Sequence, residues 1–343
     1  MIDQGDVMGT TLPHATPESV GLSSEGLSAV DDALKGLVAN GDLAGAVTLV
    51  ARKGKVVHRS KMGLKDLATQ TPLDHDTIFR IYSMTKPVTG AAMMILHDEG
   101  LWRPEDPIAS HIPEFAAVQV FAGMNPDGSM RLEAPHHAPT MGELMTHTAG
   151  LSYGFDPNQP VDKLYIAAGI WQSASLSEMA AKLGGLPLNY QPGSKWLYSL
   201  SMDLQGAIIE KLSGQSLPDF LHSRIFGPLG MVDTGFILAP EKVPRIATLY
   251  RASASGLTVV EHPPMSADPV RLPALPSGGG GLFSTATDYA RFAQMLLNRG
   301  ELDGVRVLSA DAVALMSTNH LSDALLAGGF GVGKMQMRPG YGY

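Results

Sequence analysis

Two periodicities of hydrophobic and polar residues follow each other along this 343-residue chain, and they predict its secondary structure. After a loose arm at residues 1–20, apolar residues recur at helical spacing over 23–38, which predicts an amphipathic helix. Strand-like runs at 46–52 and 56–60 flank a Lys-Gly-Lys segment that is typical of a hairpin turn. The chain therefore begins with a helix and a pair of strands.

The middle of the chain has a helical pattern instead. A proline-rich stretch at 101–139 carries a predicted small hairpin near residues 125–128. The apolar periodicity that follows predicts helices over 140–148, 175–183, 203–212 and 217–225. Further along, we predict a hairpin at 246–251 and 257–261, a helix at 287–298, a strand at 305–308 and a helix at 310–317.

This order of elements predicts an α/β (α+β) fold class with two domains. The α/β domain would comprise residues 1–85 and 281–343. A mainly helical domain, residues 86–280, would be inserted between these two parts.

Composition and charge narrow the range of functions. With 44% hydrophobic residues, 17% charged residues and a net charge of −8, the chain is globular and lacks the basic character that a nucleic-acid partner requires. No apolar run is long enough to span a bilayer, and the first residues do not resemble a signal peptide. The absence of cysteine excludes disulfides and a thiol nucleophile. We therefore expect a cytoplasmic protein without a nucleic-acid or membrane partner.

The most specific short motif is Ser-Met-Thr-Lys at 83–86, which is the only Ser-x-x-Lys in the chain and precedes a predicted buried helix over 87–99. Ser83 would lie at the positive end of the helix dipole, and Lys86 would face it one turn later. A serine hydroxyl needs a nearby base to become a strong nucleophile, and a lysine can be that base if burial or a cationic neighbour lowers its pKa. The alternative is a helix start with an incidental lysine.

A second segment places aromatic residues after a turn. Pro192 and Gly193 form a predicted turn that leads into Trp196 and Tyr198, just before a helix that starts near residue 201. A tyrosine hydroxyl beside cationic lysines would ionise below its usual pKa of about 10 and could serve as a general base. The alternative is an aromatic pair that closes a loop over the core.

Together these segments resemble the serine β-lactamase and penicillin-binding-protein superfamily. Within it, the resemblance is to the class C β-lactamase-like branch, and specifically to the family VIII carboxylesterases. Besides the motif at 83–86 and Tyr198-Ser199, segments 144–151, 226–231 and 281–286 match in the expected order. The resemblance implies a β-lactamase-like fold, in which helices flank an antiparallel sheet, an all-helical domain is inserted, and a cleft lies between the domains.

The resemblance also implies a mechanism. Ser83 would attack an acyl carbonyl and form an acyl-enzyme, while Lys86 holds and polarises its hydroxyl. Tyr198 would shuttle the proton and later activate the deacylating water, and the backbone N–H of Ser83 would provide half of the oxyanion hole. Neither a metal nor a cofactor is expected. Substrate contacts are predicted from neighbouring residues, namely Tyr82, Met84, Trp196 and Gly280.

The sequence departs from the family pattern at two places. Leu200 stands where β-lactamases of this class have an asparagine that helps bind the β-lactam amide, and its loss favours ester substrates. No Lys-Thr-Gly, Trp-Gly-Gly or His-x-Gly follows Gly281, although this element provides the second oxyanion N–H in the family. We therefore expect the fold to continue beyond Tyr343, with residues 331–343 approaching the strand that carries this element.

Three other motifs favour structural roles. The Gly-x-Ser-x-Gly sequence around Ser152 matches a nucleophile elbow but lacks the strand before it and the helix after it, so Ser152 is expected to be a loop residue. His136, His137 and His147 lack a carboxylate at helical metal-ligand spacing. The glycines at 278–281 lack the ending of a phosphate-binding loop, so we interpret them as a flexible turn that passes close to the cleft.

The sequence thus predicts a serine carboxylesterase that cleaves short-chain acyl esters through a Ser83 acyl-enzyme. Its expected partner is a small ester with a modest, hydrophobic acyl group. The alternatives are a β-lactamase or D-amino-acid peptidase of the same fold, and a non-catalytic binding or scaffold homologue.

Overall fold

A computed structural model of the chain describes residues 11–254, 256–261, 268–328, 330–332, 335–337 and 341–343. These residues form two compact units, and each unit is assembled from separated parts of the chain. The first unit contains the described residues within 1–82, 225–273 and 281–306. The second unit contains those within 83–224, 274–280 and 307–343.

Helices are distributed along the whole described chain. Their bounds are Ser24–Ala39 (α1), Thr85–Asp98 (α2), Met141–Met145 (α3), Pro160–Ala167 (α4), Leu176–Gly184 (α5), Ser201–Ser213 (α6), Leu217–Leu221 (α7), Ala286–Leu297 (α8), Ala310–Met316 (α9) and Asp323–Gly328 (α10). The α-helices α1, α3, α5, α7, α8 and α9 begin after a serine or threonine whose side chain accepts a backbone N–H of the first turn. These caps satisfy donors that have no partner within the helix.

The strands are short apart from the first two. Their bounds are Gly45–Arg52 (β1), Lys55–Asp66 (β2), Thr71–Pro72 (β3), Phe79–Arg80 (β4), Val120–Met124 (β5), Met130–Glu133 (β6), Tyr250–Ser253 (β7), Gly256–Val259 (β8), Phe283–Ser284 (β9), Glu301–Leu302 (β10), Val305–Arg306 (β11), Phe330–Val332 (β12) and Met335–Met337 (β13). β1, β2 and β3 form a three-stranded sheet, and β4 pairs with β9. All pairings between these strands are antiparallel.

The first unit is organised around the β1–β2 hairpin and the β4–β9 pair. Helix α1 packs against β2, and α8 packs against β1. Ile78, Leu238 and Phe283 form a buried cluster against which Ile246 packs. Burying apolar side chains together in this way stabilises the unit, because it removes their surface from water.

The second unit is organised around α2, which packs against α6 and α9. Apolar residues on every side of α2 are buried, among them Val88, Met93, Met94 and Leu96. A helix that is apolar all round belongs in a core, which agrees with the predicted buried helix. Gly100 has a φ of +75°, a left-handed backbone typical of the residue that ends a helix, and this agrees with the predicted end of the helix at residue 99.

Most predicted elements lie within a few residues of the observed ones, and the differences have local causes. The predicted hairpin at 246–251 begins instead at Tyr250, because Ala247 donates a backbone hydrogen bond to Ile78. The predicted helix over 217–225 changes at His222–Phe226 into a wider π-type turn. Helix α4 was not predicted, although its proline lies in the first turn, where proline is tolerated.

The division into units differs from the predicted domain boundaries at three places, the first of which is the short segment 83–85, which groups with the second unit. The described residues of 225–273 join the first unit, because Gly235 pairs with Phe283 and Ile246 pairs with Ile78. The described residues from 307 onwards group with the second unit, where α9 packs against α2. These long-range pairings leave no signal in local sequence periodicity.

Within the described residues, no helix is both long and apolar enough to cross a bilayer.

Candidate active site

Ser83 lies in a tight turn that leads into α2. The turn spans Tyr82–Met84, and Tyr82 adopts a left-handed backbone with a φ of +43°. Such a conformation is unfavourable for a residue with a side chain, and it is often found next to reactive groups. Met84 occupies the cap position of α2 and makes no side-chain cap hydrogen bond, and the hydroxyl of Ser83 contacts Tyr198 and Lys86 instead. Ser83 is exposed.

Lys86 lies in the first turn of α2 within reach of Ser83, as the motif predicted, and its side chain is buried. Its Nζ donates to Oγ of Ser83 at 3.2 Å and to the carbonyl oxygen of Gly279 at 2.5 Å. The same ammonium group lies 4.6 Å from the ring centroid of Tyr198. Contact with a carbonyl and an aromatic ring partly replaces the hydration that burial removes.

Tyr198 completes the group around Ser83. Its hydroxyl lies 2.6 Å from Oγ of Ser83. Backbone bonds hold the segment before α6 in place, since Leu197 donates to the carbonyl of His147 at 2.9 Å and Leu200 donates to that of Ser152 at 3.1 Å. The structure therefore brings the predicted nucleophile, lysine and tyrosine into one hydrogen-bonded set within the second unit.

Three aromatic residues surround Tyr198. Its ring stacks on Tyr153 at 5.3 Å with an interplanar angle of 19°, and it lies 5.3 Å from the ring of His147 and 6.1 Å from Trp196. Burial, followed by the charges of Asp203 and Tyr198, raises the pKa of Tyr153 well above its usual range. Tyr153 therefore keeps its proton, although it stands beside the same lysine.

His147 has a structural role next to this aromatic group. Burial, assisted by the charge of Lys86, lowers the pKa of His147 to about 3, so its imidazole is neutral. Its Nδ1 lies 3.0 Å from Oγ of Ser199, and its carbonyl holds Leu197. Its positive φ of +60° shows a tightly constrained backbone. His147 thus positions the residues before and after Tyr198.

The glycine run at 278–281 is closely packed, so the expectation of a flexible turn was wrong. Gly278 and Gly279 are buried, and the carbonyl of Gly278 accepts from Oγ1 of Thr89 at 2.8 Å. A Cβ on Gly278 would lie 2.5 Å from the carbonyl oxygen of Met202, which no side chain tolerates. The run passes beside Lys86, which donates to the carbonyl of Gly279, whereas its predicted place next to a cleft stays a prediction. Glycine is required at 278 because the backbone of Met202 lies so close.

The predicted substrate-contact residues have different environments. Met84 is 48% exposed and next to Ser83, so it is accessible. Trp196 is half-buried, with its ring 5.8 Å from that of His147. Tyr82 is half-buried, and Gly280 is buried with its N–H donating to the carbonyl of Ser277 at 3.2 Å. Their roles in binding substrate stay predictions.

The competing motifs have structural partners. Ser152 is buried and donates a short hydrogen bond to Asp162, and no strand precedes it among the described residues around 140–151. His137 lies 2.7 Å from Oε1 of Glu143. Across the described part of the chain, no group of three or more His, Cys, Asp or Glu side chains is arranged to hold a metal ion.

Sequence reasoning missed two residues of this site. Tyr153 lies inside the Gly-x-Ser-x-Gly segment, in which the motif itself indicates only Ser152 as a candidate. Asp203 is fully buried on α6 and accepts from Oγ of Ser277 at 2.5 Å and from the N–H of Gly279 at 3.2 Å. Its only sequence signal was an acidic residue in a predicted apolar helix, because charged residues are seldom fully buried without a partner.

Comparison with known proteins agrees with this geometry. The Beta-lactamase family model matches residues 30–343. An uncharacterised protein of Mycobacterium tuberculosis is 40% identical over 286 residues, which cover 82% of this chain and 69% of that protein. Esterase EstB of Burkholderia gladioli is 32% identical over 321 residues, which cover 88% of this chain and 74% of that protein.

Among solved structures, EstCE1 is described as a hydrolase with promiscuous acyltransferase activity. It matches with a TM-score of 0.72 and 25% sequence identity, over 88% of this chain and 80% of that chain. The fold is therefore the α/β fold that the motifs predicted. The chain belongs to the beta-lactamase family, whose serine hydrolases include the esterase and acyltransferase homologues found for it.

Proposed function

We propose that this protein is a serine carboxylesterase that cleaves short-chain acyl esters. The observation that carries the proposal is the hydrogen-bonded set in which Oγ of Ser83 contacts both the hydroxyl of Tyr198 at 2.6 Å and Nζ of Lys86 at 3.2 Å. An exposed serine with two proton-transfer partners is the arrangement that nucleophilic catalysis at an acyl carbonyl needs.

In the acylation step, Oγ of Ser83 forms a bond to the ester carbonyl carbon as its proton passes to Tyr198. Tyr198 acts in its phenolate form, whose negative charge is stabilised by the ammonium group of Lys86 above the ring, and it becomes a neutral phenol when it takes this proton. The backbone N–H of Ser83 donates to the developing oxyanion. When the tetrahedral intermediate collapses, the bond to the leaving alkoxide breaks, and Tyr198 returns the proton to release the alcohol.

Deacylation repeats these steps with water. Tyr198 takes a proton from the attacking water molecule, which forms a bond to the acyl carbon. The bond to Ser83 then breaks, and its Oγ recovers the proton. The carboxylic acid leaves, and the set of Ser83, Lys86 and Tyr198 returns to its starting state, so the reaction needs no external reductant or oxidant.

Leu200 supports an ester rather than a β-lactam as substrate. It stands at the position where β-lactamases of this class have an amide-binding asparagine, and it is fully buried. An apolar side chain without exposed surface cannot hydrogen-bond an amide. The exposed Met84 supports a hydrophobic acyl or alcohol group, because a thioether side chain adapts to apolar ligands. The name of the related esterase EstB agrees with this choice.

Two other functions remain open as alternatives. A β-lactamase or D-amino-acid peptidase would use the same three residues on an amide bond. A binding or scaffold protein would keep the fold without turnover, but it would have no need for an exposed serine held by a buried lysine. The exposed and engaged Ser83 is thus the feature that favours an enzyme.

The function is tested by comparing two substrates. We expect p-nitrophenyl butyrate to be hydrolysed with a kcat/KM at least about a hundredfold above that for a chromogenic cephalosporin, because the site lacks the amide-binding asparagine. The reverse ratio would replace the esterase proposal by the β-lactamase alternative. Stoichiometric labelling by a fluorophosphonate separates enzyme from scaffold, since an unactivated serine does not react with it.

A further inference from the structure

The buried carboxyl group of Asp203 lies beside the candidate active site, and the mechanism above does not use it. Asp203 comes a few residues after Tyr198 along the chain and lies in the first turn of α6. It is 1% exposed. A carboxylate in such surroundings is costly unless it is hydrogen-bonded or balanced by a positive charge. Its position therefore calls for hydrogen-bond donors, for a partner of opposite charge, or for both.

One carboxyl oxygen organises the glycine turn. Oδ1 accepts from Oγ of Ser277 at 2.5 Å and from the N–H of Gly279 at 3.2 Å. The carbonyl of the same Gly279 accepts from Nζ of Lys86 at 2.5 Å. The Asp203 carboxyl thus reaches Lys86 through a single residue, which donates to one group and accepts from the other.

The second carboxyl oxygen is not satisfied by a hydrogen bond. Oδ2 is buried and has no hydrogen-bond partner among the residues that the structure describes. A Cβ on Gly279 would lie 2.7 Å from this atom, so glycine is required for the close approach. Burial raises the pKa of Asp203 above its usual range, whereas the hydrogen bond from Ser277 and the charge of Lys86 act in the opposite direction.

The charged and titratable groups around Asp203 and Lys86 come from several elements. Lys86 approaches from α2, and Tyr153 and Tyr198 approach from the segments before α4 and α6. Tyr153 keeps its proton, and His147, which also responds to the charge of Lys86, is neutral. Lys86 is therefore the positive charge that is available to balance Asp203 in this part of the structure.

We propose that Asp203 is a positioning residue of this site, which holds the glycine turn against Lys86 and supplies the buried negative charge that balances the ammonium group. It touches no reacting atom, and it acts through Gly279 and through its charge. The inference rests on the proposed function, because it assigns Asp203 to the activation of Ser83.

The negative charge of Asp203 changes the pH dependence of the reaction in the same direction whether Lys86 or Tyr198 is the base. A nearby negative charge makes the loss of a proton harder for every neighbouring group, whether an ammonium or a phenol. Replacing Asp203 by a neutral residue therefore makes the active form of the base appear at lower pH. We expect the acidic limb of the reaction profile to move to lower pH by about one unit.

The experiment measures the rate at which a fluorophosphonate labels Ser83 as a function of pH, followed by intact mass. The test variant is Asp203→Asn, in which the amide oxygen can still accept from Ser277 and Gly279. Asp203→Ser is a second neutral variant, in case the amide does not fit. Ser277→Ala is the matched control that removes a hydrogen bond and keeps the charge, and Asp162→Asn removes a buried carboxylate that contacts Ser152 instead.

We expect the acidic limb of the pH–rate profile to move to lower pH in the two Asp203 variants. It should stay in place in Ser277→Ala and Asp162→Asn. Lower rates at every pH with an unchanged midpoint would overturn the inference, because they would indicate a structural role alone. An equal shift in the control variants would also overturn it. A parent protein that is labelled at Ser83 but hydrolyses no ester would refute the esterase proposal while leaving this comparison intact, and an unlabelled parent would refute both.

Discussion

Replacing Ser83 by alanine is expected to lower the rate of p-nitrophenyl butyrate hydrolysis by about a thousandfold or more, because no acyl-enzyme can then form. Ser83 is exposed and lies at the start of α2, so the loss of one oxygen atom leaves the packing of the helix unchanged. We therefore expect thermal unfolding to be nearly that of the parent. Steady-state assays measure the loss of ester hydrolysis, and intact mass after fluorophosphonate treatment measures the loss of covalent labelling.

The matched control for this prediction is Ser152→Ala, because Ser152 belongs to the competing Gly-x-Ser-x-Gly motif. Its hydroxyl donates to the buried Asp162, so its removal should cost about 1–3 kcal/mol of unfolding free energy. Below its unfolding temperature, the variant should keep most of its activity. If Ser152→Ala is folded and inactive while Ser83→Ala still turns over, the nucleophile has been assigned to the wrong serine.

Replacing Tyr198 by phenylalanine is expected to lower kcat/KM by about 10²–10⁴-fold. The substitution removes the hydroxyl that lies 2.6 Å from Oγ of Ser83 and keeps the ring that packs against Lys86 and His147. The effect should therefore appear in catalysis and labelling rate rather than in the temperature of unfolding. Both rates are measured on the same preparations.

Tyr153→Phe provides the comparison within the same aromatic stack. Tyr153 also lies beside Lys86, with Nζ 5.8 Å from its ring centroid, and its ring stacks on Tyr198. Because its phenol keeps its proton and the ring is retained, we expect less than about a tenfold loss of kcat/KM. Equal losses in the two variants would mean that the phenol of Tyr198 has no special role in proton transfer.

Local patterns predicted most of the helices well, because their causes are local. Ser23 caps α1, Thr285 caps α8, and Gly100 ends α2 with a left-handed backbone, and each signal is readable from neighbouring residues. The short strands were less predictable. β4 contains only Phe79 and Arg80, and its extent depends on pairing with residues about two hundred positions away along the chain.

The environment of the glycine run shows the same limit. Its composition was interpreted as flexibility, whereas the structure buries Gly278 and Gly279 against α2 and α6 residues. A run of glycines is equally compatible with a mobile turn and with a close backbone approach. Only the partners at the contact, Thr89 and Asp203, decide between the two.

The sequence by itself determined the chemical identities at the site: one Ser-x-x-Lys at a helix start, a tyrosine before a second helix, and motifs in the order that the family requires. Tertiary structure alone decided that Ser83 and Tyr198, 115 positions apart, share a hydrogen bond. It also decided that Tyr153, His147 and Asp203 surround Lys86. The physical reason is that periodicity and capping depend on neighbours along the chain, whereas burial and charge balance depend on neighbours in space.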